Sequence, residues 1–213
     1  MRGPSQRGSA TTGAMADPPT VRRVITAQNG EGRSVFAIDE AVEPLISDGA
    51  HSEAGQMVWQ VWGADQMPRL PIGLDTSYAN TLFAPFGGYR VQVCEFPARD
   101  QSPAKPRGVW PPLGTRIHRP ETGASGGEFG EGDYHRLHYT DSIDIIVVLE
   151  GEVGFRVDGG EEVTLHAGDV LVNNGASHAW RRGSVSCRVC MIAYGADRHA
   201  VASMPEVEGA ASR

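Results

Sequence analysis

The sequence predicts an all-β domain, a double-sheet jelly-roll barrel with extra strands at its N-terminal end. Three observations carry this. Short runs rich in β-branched and aromatic residues recur at even spacing. Glycine-bearing turns separate them, among them Gly-Glu, Asp-Gly-Gly, Ala-Gly-Asp and Arg-Gly-Ser. No segment carries the apolar period of a long helix, a turn near Glu40 to Ile46 apart. Many short strands of this kind close into a sandwich or a barrel.

The elements follow in order. Val21 to Thr26, Ser34 to Ile38 and Met57 to Trp62 read as strands. Tyr89 to Phe96 alternates Tyr89, Val91, Val93 and Glu95 against Arg90, Gln92, Cys94 and Phe96, a two-faced strand. Pro97 to Gly132 then holds six prolines and seven glycines, the composition of a lid, a binding loop or a disordered insertion. Strand signals resume at Ile143 to Leu149, Glu152 to Val157, Glu162 to Leu165, Asp169 to Asn173, His178 to Arg182 and Ser186 to Tyr194. Their turns have hairpin spacing, and Asp158-Gly159-Gly160 is the clearest of them.

One domain over 19–196 is expected, with its barrel core in 89–194 and the long loop at 97–132. Residues 1–18 read as a disordered extension: Arg2 and Arg7 come without an apolar stripe, unlike a targeting segment. Residues 197–213 read as a loose tail. A net charge of −7 argues against nucleic acid as a partner, since phosphate binding needs a basic surface. No apolar run reaches the roughly 18 residues that would cross a membrane. Cys94, Cys187 and Cys190 are too few and too odd for a disulfide framework, which fits a cytoplasmic setting. The last two form a C-x-x-C, but in a strand residues three apart face opposite ways.

The chemistry concentrates between Tyr134 and Trp180. Asp144 interrupts the apolar run IDIIVVL. A lone buried carboxylate costs several kcal/mol or takes up a proton, so Asp144 needs a partner. Around it stand His138, Thr140 and Ser142, then Gly151-Glu152, Gly168-Asp169-Val170 and Gly175-Ala176-Ser177-His178-Ala179-Trp180. This series resembles the small single-domain cupins found among uncharacterised proteins and in biosynthetic gene clusters. The resemblance implies a barrel in which His138, Asp144 and His178 face one cavity.

A metal-binding cupin offers His-x-His, a Glu and a later His. Here Arg136, which cannot ligate a metal, stands two before His138, and the shorter Asp144 replaces the Glu. The interval from His138 to Asp144 is also one residue longer than usual, which predicts a bulge. The resemblance then implies a divalent metal (Fe, Mn, Zn or Ni) on His138, Asp144 and His178, supporting lyase, isomerase, decarboxylase or dioxygenase chemistry on an oxygenated small molecule. His135 or His118 would complete a fuller ligand set.

Two alternatives stand beside this. In a metal-free dehydratase or isomerase, Arg136 pairs with Asp144, and His138 and His178 act as acid and base. In a non-catalytic cupin the cavity holds a ligand without turnover. Arg136, Thr140, Trp180 and Arg90 are the candidate substrate contacts; Arg90 would clamp a carboxylate if its face lines the cavity and would otherwise be exposed. Arg181, His51, His166 and His199 read as surface residues. A homodimer through the segment Val21 to Ile38 is implied by the resemblance alone.

Overall fold

The computed structural model describes residues 20–46, 56–70, 81–101, 117–118 and 137–198. These residues form strands β1 (Val21–Gln28), β2 (Ser34–Val42), β3 (Leu45–Ile46), β4 (Met57–Ala64), β5 (Tyr89–Phe96), β6 (Ile117–His118) and β7 (Tyr139–Thr140). They continue with β8 (Ser142–Glu150), β9 (Glu152–Val157), β10 (Glu162–His166), β11 (Val170–Asn173), β12 (His178–Arg182) and β13 (Cys187–Gly195). No helix occurs among the described residues, so none there is long and apolar enough to cross a membrane.

A six-stranded sheet, in the order β11-β8-β13-β5-β4-β3, faces a three-stranded sheet, β10-β9-β12. All of the pairings are antiparallel. The core between them draws Cys94, Phe96, Ile146, Val148 and Val189 from the large sheet and Val153, Phe155, Leu165 and Trp180 from the small one. From β8 onward the chain alternates between the layers: β8 large, β9 and β10 small, β11 large, β12 small, β13 large. That alternation is a jelly roll, as the sequence predicts.

Several turns expected as hairpins are therefore crossings between sheets. Gly151 joins β8 to β9 with φ at +73°, and a Cβ there would lie 1.9 Å from the Ser186 carbonyl oxygen. Only glycine fits that corner. Asp158-Gly159-Gly160 does close a local hairpin, β9 to β10, with the Gly160 N–H on the Val157 carbonyl.

Other differences are local. The turn near Glu40 is the end of β2 followed by β3, so that stretch is extended. Strands β6 and β7 are too short to be read from composition; they pair Ile117 with Thr140 and His118 with Tyr139. The bulge expected between His138 and Asp144 is absent: the chain bends at Asp141, and the register of β8 runs without a shift until its partner reaches Arg188. Six is an even interval, so alternation alone keeps both residues on one face. Cys187 faces the core and Cys190 the opposite side of β13, and all three cysteines are free.

Candidate functional site

The polar end of the barrel grows from the alternation of β7 and β8. Thr140, Ser142 and Asp144 all point inward and are buried, where Ile146 and Val148 continue the same face as apolar core. The Thr140 and Ser142 hydroxyls lie 2.7 Å apart, and Ser142 donates to Asp144 Oδ1 at 2.7 Å. A chain of hydroxyls thus ends on the carboxylate.

The other carboxylate oxygen meets Asn173, the residue opposite Asp144 in the β11–β8 ladder. Asn173 Nδ2 donates to Asp144 Oδ2 at 3.3 Å, and its Oδ1 accepts from the Ala176 N–H at 3.0 Å, which fixes the orientation of the amide. Burial still pushes the Asp144 carboxyl above its ordinary range; the Ser142 and Asn173 hydrogen bonds and the nearby charge of His138 oppose it.

His138 and His178 are brought together by the backbone. They exchange two main-chain hydrogen bonds, at 3.0 and 2.9 Å, as an isolated antiparallel bridge. Directly opposed residues share a face, and the imidazole centroids lie 4.7 Å apart. His178 Nδ1 sits 2.9 Å from the Ala176 carbonyl oxygen. That oxygen can only accept, so Nδ1 carries a proton, and in the neutral ring Nε2 holds the lone pair. Asn173 Nδ2, 3.2 Å from the same nitrogen, then has Asp144 as its acceptor. Phe155 stacks on the His178 ring at 4.9 Å, and Trp180 meets it edge-on at 6.1 Å. Trp180 also packs on Phe96 and Phe155, so it serves the core and the histidine wall at once.

The remaining sequence-predicted residues divide. Arg90 lies neither at the surface nor free to clamp a ligand: it is 0 % exposed, and every N–H of its guanidinium is taken. Nε donates to Thr81 O at 3.2 Å and Nη1 to Ala64 O and Tyr89 O at 3.1 and 2.9 Å. Nη2 bonds Asp65 Oδ1 at 2.5 Å and the Thr81 hydroxyl. It ties the end of β4 to the segment at Thr81 and leaves no donor for a substrate carboxylate. Arg181 is half-buried on Glu162, not solvated, whereas His166 is exposed near Glu152 and Asp169. Arg136, His135, His51 and His199 lie outside the described residues, as does most of the loop 97–132.

The expected metal set is not assembled as such: among the described residues no three His, Cys, Asp or Glu side chains group so as to hold an ion. Asp144 is linked to His178 through Asn173 and the Ala176 main chain instead. Asn173 and Phe155 are the site residues that sequence reasoning missed. The signal for Asn173 was its place five residues before His178, at the end of an otherwise apolar strand.

No family model matches the chain. Over 48 residues it is 48% identical to phomopsin biosynthesis cluster protein C' of Diaporthe leptostromiformis, covering 22% of this chain and 25% of that protein. A cupin-domain-containing oxidoreductase of Neurospora crassa is 39% identical over 57 residues, covering 27% of this chain and 29% of its own length. The chain thus spans about a quarter of the length of the curated relatives it matches. A cupin 2 conserved barrel domain protein from Salinispora arenicola aligns over 66% of this chain and 76% of that one, with a TM-score of 0.35 and 13% identity. The chain is similar to small cupins, those of biosynthetic clusters included.

Proposed function

We propose that this chain is a cupin-type small-molecule enzyme that moves protons on an oxygenated carbon skeleton, as an isomerase or lyase, with His178 as base and His138 as acid. The observation that supports this reading most is the bridged histidine pair, with the His178 tautomer set by the Ala176 carbonyl. Nε2 of His178 accepts a proton from carbon beside a carbonyl. Protonated His138 delivers one to the carbonyl oxygen, giving an enol, or to a departing hydroxyl, which leaves as water. The base gains one proton and the acid loses one, so proton exchange with solvent resets the pair. The positive charge of His138 opposes the burial that raises the Asp144 carboxyl, so the carboxyl and the acid are electrostatically coupled. Phe155 and Trp180 keep water from one side of the His178 ring and form an apolar wall for the substrate.

The test is deuterium wash-in. Metal-stripped protein in D2O is mixed with a panel of hydroxy and keto acids and followed by proton NMR. Carbon-bound hydrogen exchanges in the wild type, and His178→Ala slows exchange by about 10²–10⁴-fold with its fold intact. Exchange that appears only after Fe, Mn, Zn or Ni is restored would replace this reading with a metal-centred one on His138 and His178. A panel member that binds tightly and never exchanges would make the chain a ligand-binding cupin.

A further inference from the structure

Beyond β13 the chain turns back along the histidine site. The Ala196 N–H donates to the Asp141 carbonyl at 2.9 Å, and Arg198 reaches the bend between β7 and β8. Arg198 Nε donates to Asp141 Oδ1 at 2.6 Å, and the guanidinium carbon lies 4.5 Å from the centre of the Tyr139 ring. Nη2 carries two hydrogens and meets two acceptors, the Thr140 carbonyl at 2.7 Å and the Gly175 carbonyl at 3.1 Å. Those carbonyls belong to different arms of the site. Thr140 lies between His138 and Asp144, whereas Gly175 lies in the connection from β11 to β12, between Asn173 and His178.

The Gly175 carbonyl shares one rigid peptide plane with the Ala176 N–H. Arg198 holds the oxygen of that plane, and Asn173 Oδ1 holds its N–H at 3.0 Å. Both edges are tied, so the plane is fixed. The next carbonyl along is that of Ala176, 2.9 Å from His178 Nδ1. Gly175 has φ at +71°, and a Cβ there would lie 3.0 Å from Arg198 Nη2, so glycine lets the guanidinium approach this closely.

We propose that Arg198 is a positioning residue of the histidine site: it holds the Gly175–Ala176 peptide against the β7–β8 bend and so aims the Ala176 carbonyl at His178 Nδ1. Its effect on catalysis rests on His178 being the base proposed above; its effect on the tautomer does not. The ion pair with Asp141 is the lesser part. Its side chains are 36 % and 27 % exposed, so their attraction is screened. Charge-assisted bonds from a planar fork fix direction, which a lysine ammonium does less well.

Long-range proton–nitrogen NMR of the metal-free full chain, with deuterium wash-in beside it, tests this in Arg198→Met and Arg198→Lys. The neutral His178 ring of the wild type is expected to carry its proton on Nδ1. In Arg198→Met both ring nitrogens are expected to move between the pyrrole and pyridine types, as two tautomers exchange. Wash-in is expected to fall by about 10-fold. Circular dichroism and the exposed His166 ring stay as in the wild type. Arg198→Lys keeps one charged donor and restores part of both readouts, and it carries the same test should Arg198→Met unfold. A His178 ring unchanged in both variants overturns the proposal, whether or not wash-in changes. A wild type without wash-in, whose tautomer still shifts in Arg198→Met, contradicts the proposed reaction and upholds the role of Arg198. A wild type with the proton on Nε2 overturns both.

Discussion

Two buried charges lie in one transverse row of the same sheet, and the protein treats them in opposite ways. Ala193 pairs with Arg90 on one side and with Asp144 on the other, so the two charged residues stand about 10 Å apart across the sheet. Arg90 meets three main-chain carbonyls, a hydroxyl and the Asp65 carboxylate, so all five of its donors are satisfied. Asp144 has two neutral donors, Ser142 and Asn173, and its carboxyl is pushed up by burial. A saturated charge is a structural fastener. A charge with neutral partners keeps its protonation state adjustable, and it sits in the histidine site. The difference teaches that burial alone does not mark a functional ionisable group; the degree to which its partners are fixed does.

Substitutions sharpen this contrast. Arg90→Met removes the partner of Asp65 and of three carbonyls in or beside the interior, and is expected to cost about 3–5 kcal/mol in urea unfolding. A cost below about 1 kcal/mol would mean that those groups rehydrate and that Arg90 is no fastener. Asn173→Ala leaves the Ala176 N–H and one Asp144 oxygen without their donor or acceptor, for an expected loss of about 2 kcal/mol by the same measurement. It should also reduce deuterium wash-in, since it loosens the loop that carries the Ala176 carbonyl. Ser142→Ala is milder, about 1 kcal/mol, because Thr140 stays beside the gap.

The smallest effect is opposite in sign. The Asp144 pKa is raised above its ordinary value of 3.8, so the protonated form is the one the fold prefers. That advantage is fully present below the unfolded pKa and is lost as pH rises through the folded one. Asp144→Asn removes the titration, so in metal-free protein its melting temperature should overtake that of the wild type on going from pH 4 to pH 7. A variant that instead falls further behind the wild type over that range would show that Asp144 is better stabilised as a carboxylate than its two neutral donors allow.

Much of this was legible in the chain. The strand series follows from alternation and turn residues, and the resemblance to small cupins implied that His138, Asp144 and His178 share one barrel. What was not legible depends on register between distant segments. Asn173 reaches Asp144 across 29 residues of sequence, through the β11–β8 pairing. Arg90 reads as a strand residue that could face either way, and its fate is set by Asp65 and Thr81, which come from segments outside its own strand. The close approach of the two histidines needs an isolated bridge outside any continuous ladder, and local sequence carries no sign of such a bridge.

The central claim is that Ala176 fixes the proton of His178 on Nδ1 and gives Nε2 to chemistry. Long-range proton–nitrogen NMR of metal-free protein near neutral pH, with His178 assigned by its loss in His178→Ala, reads this directly. The account predicts a protonated, pyrrole-type Nδ1 and a pyridine-type Nε2. The reverse tautomer, with the lone pair on Nδ1 facing Asn173, would contradict it and leave His178 without the base assigned to it.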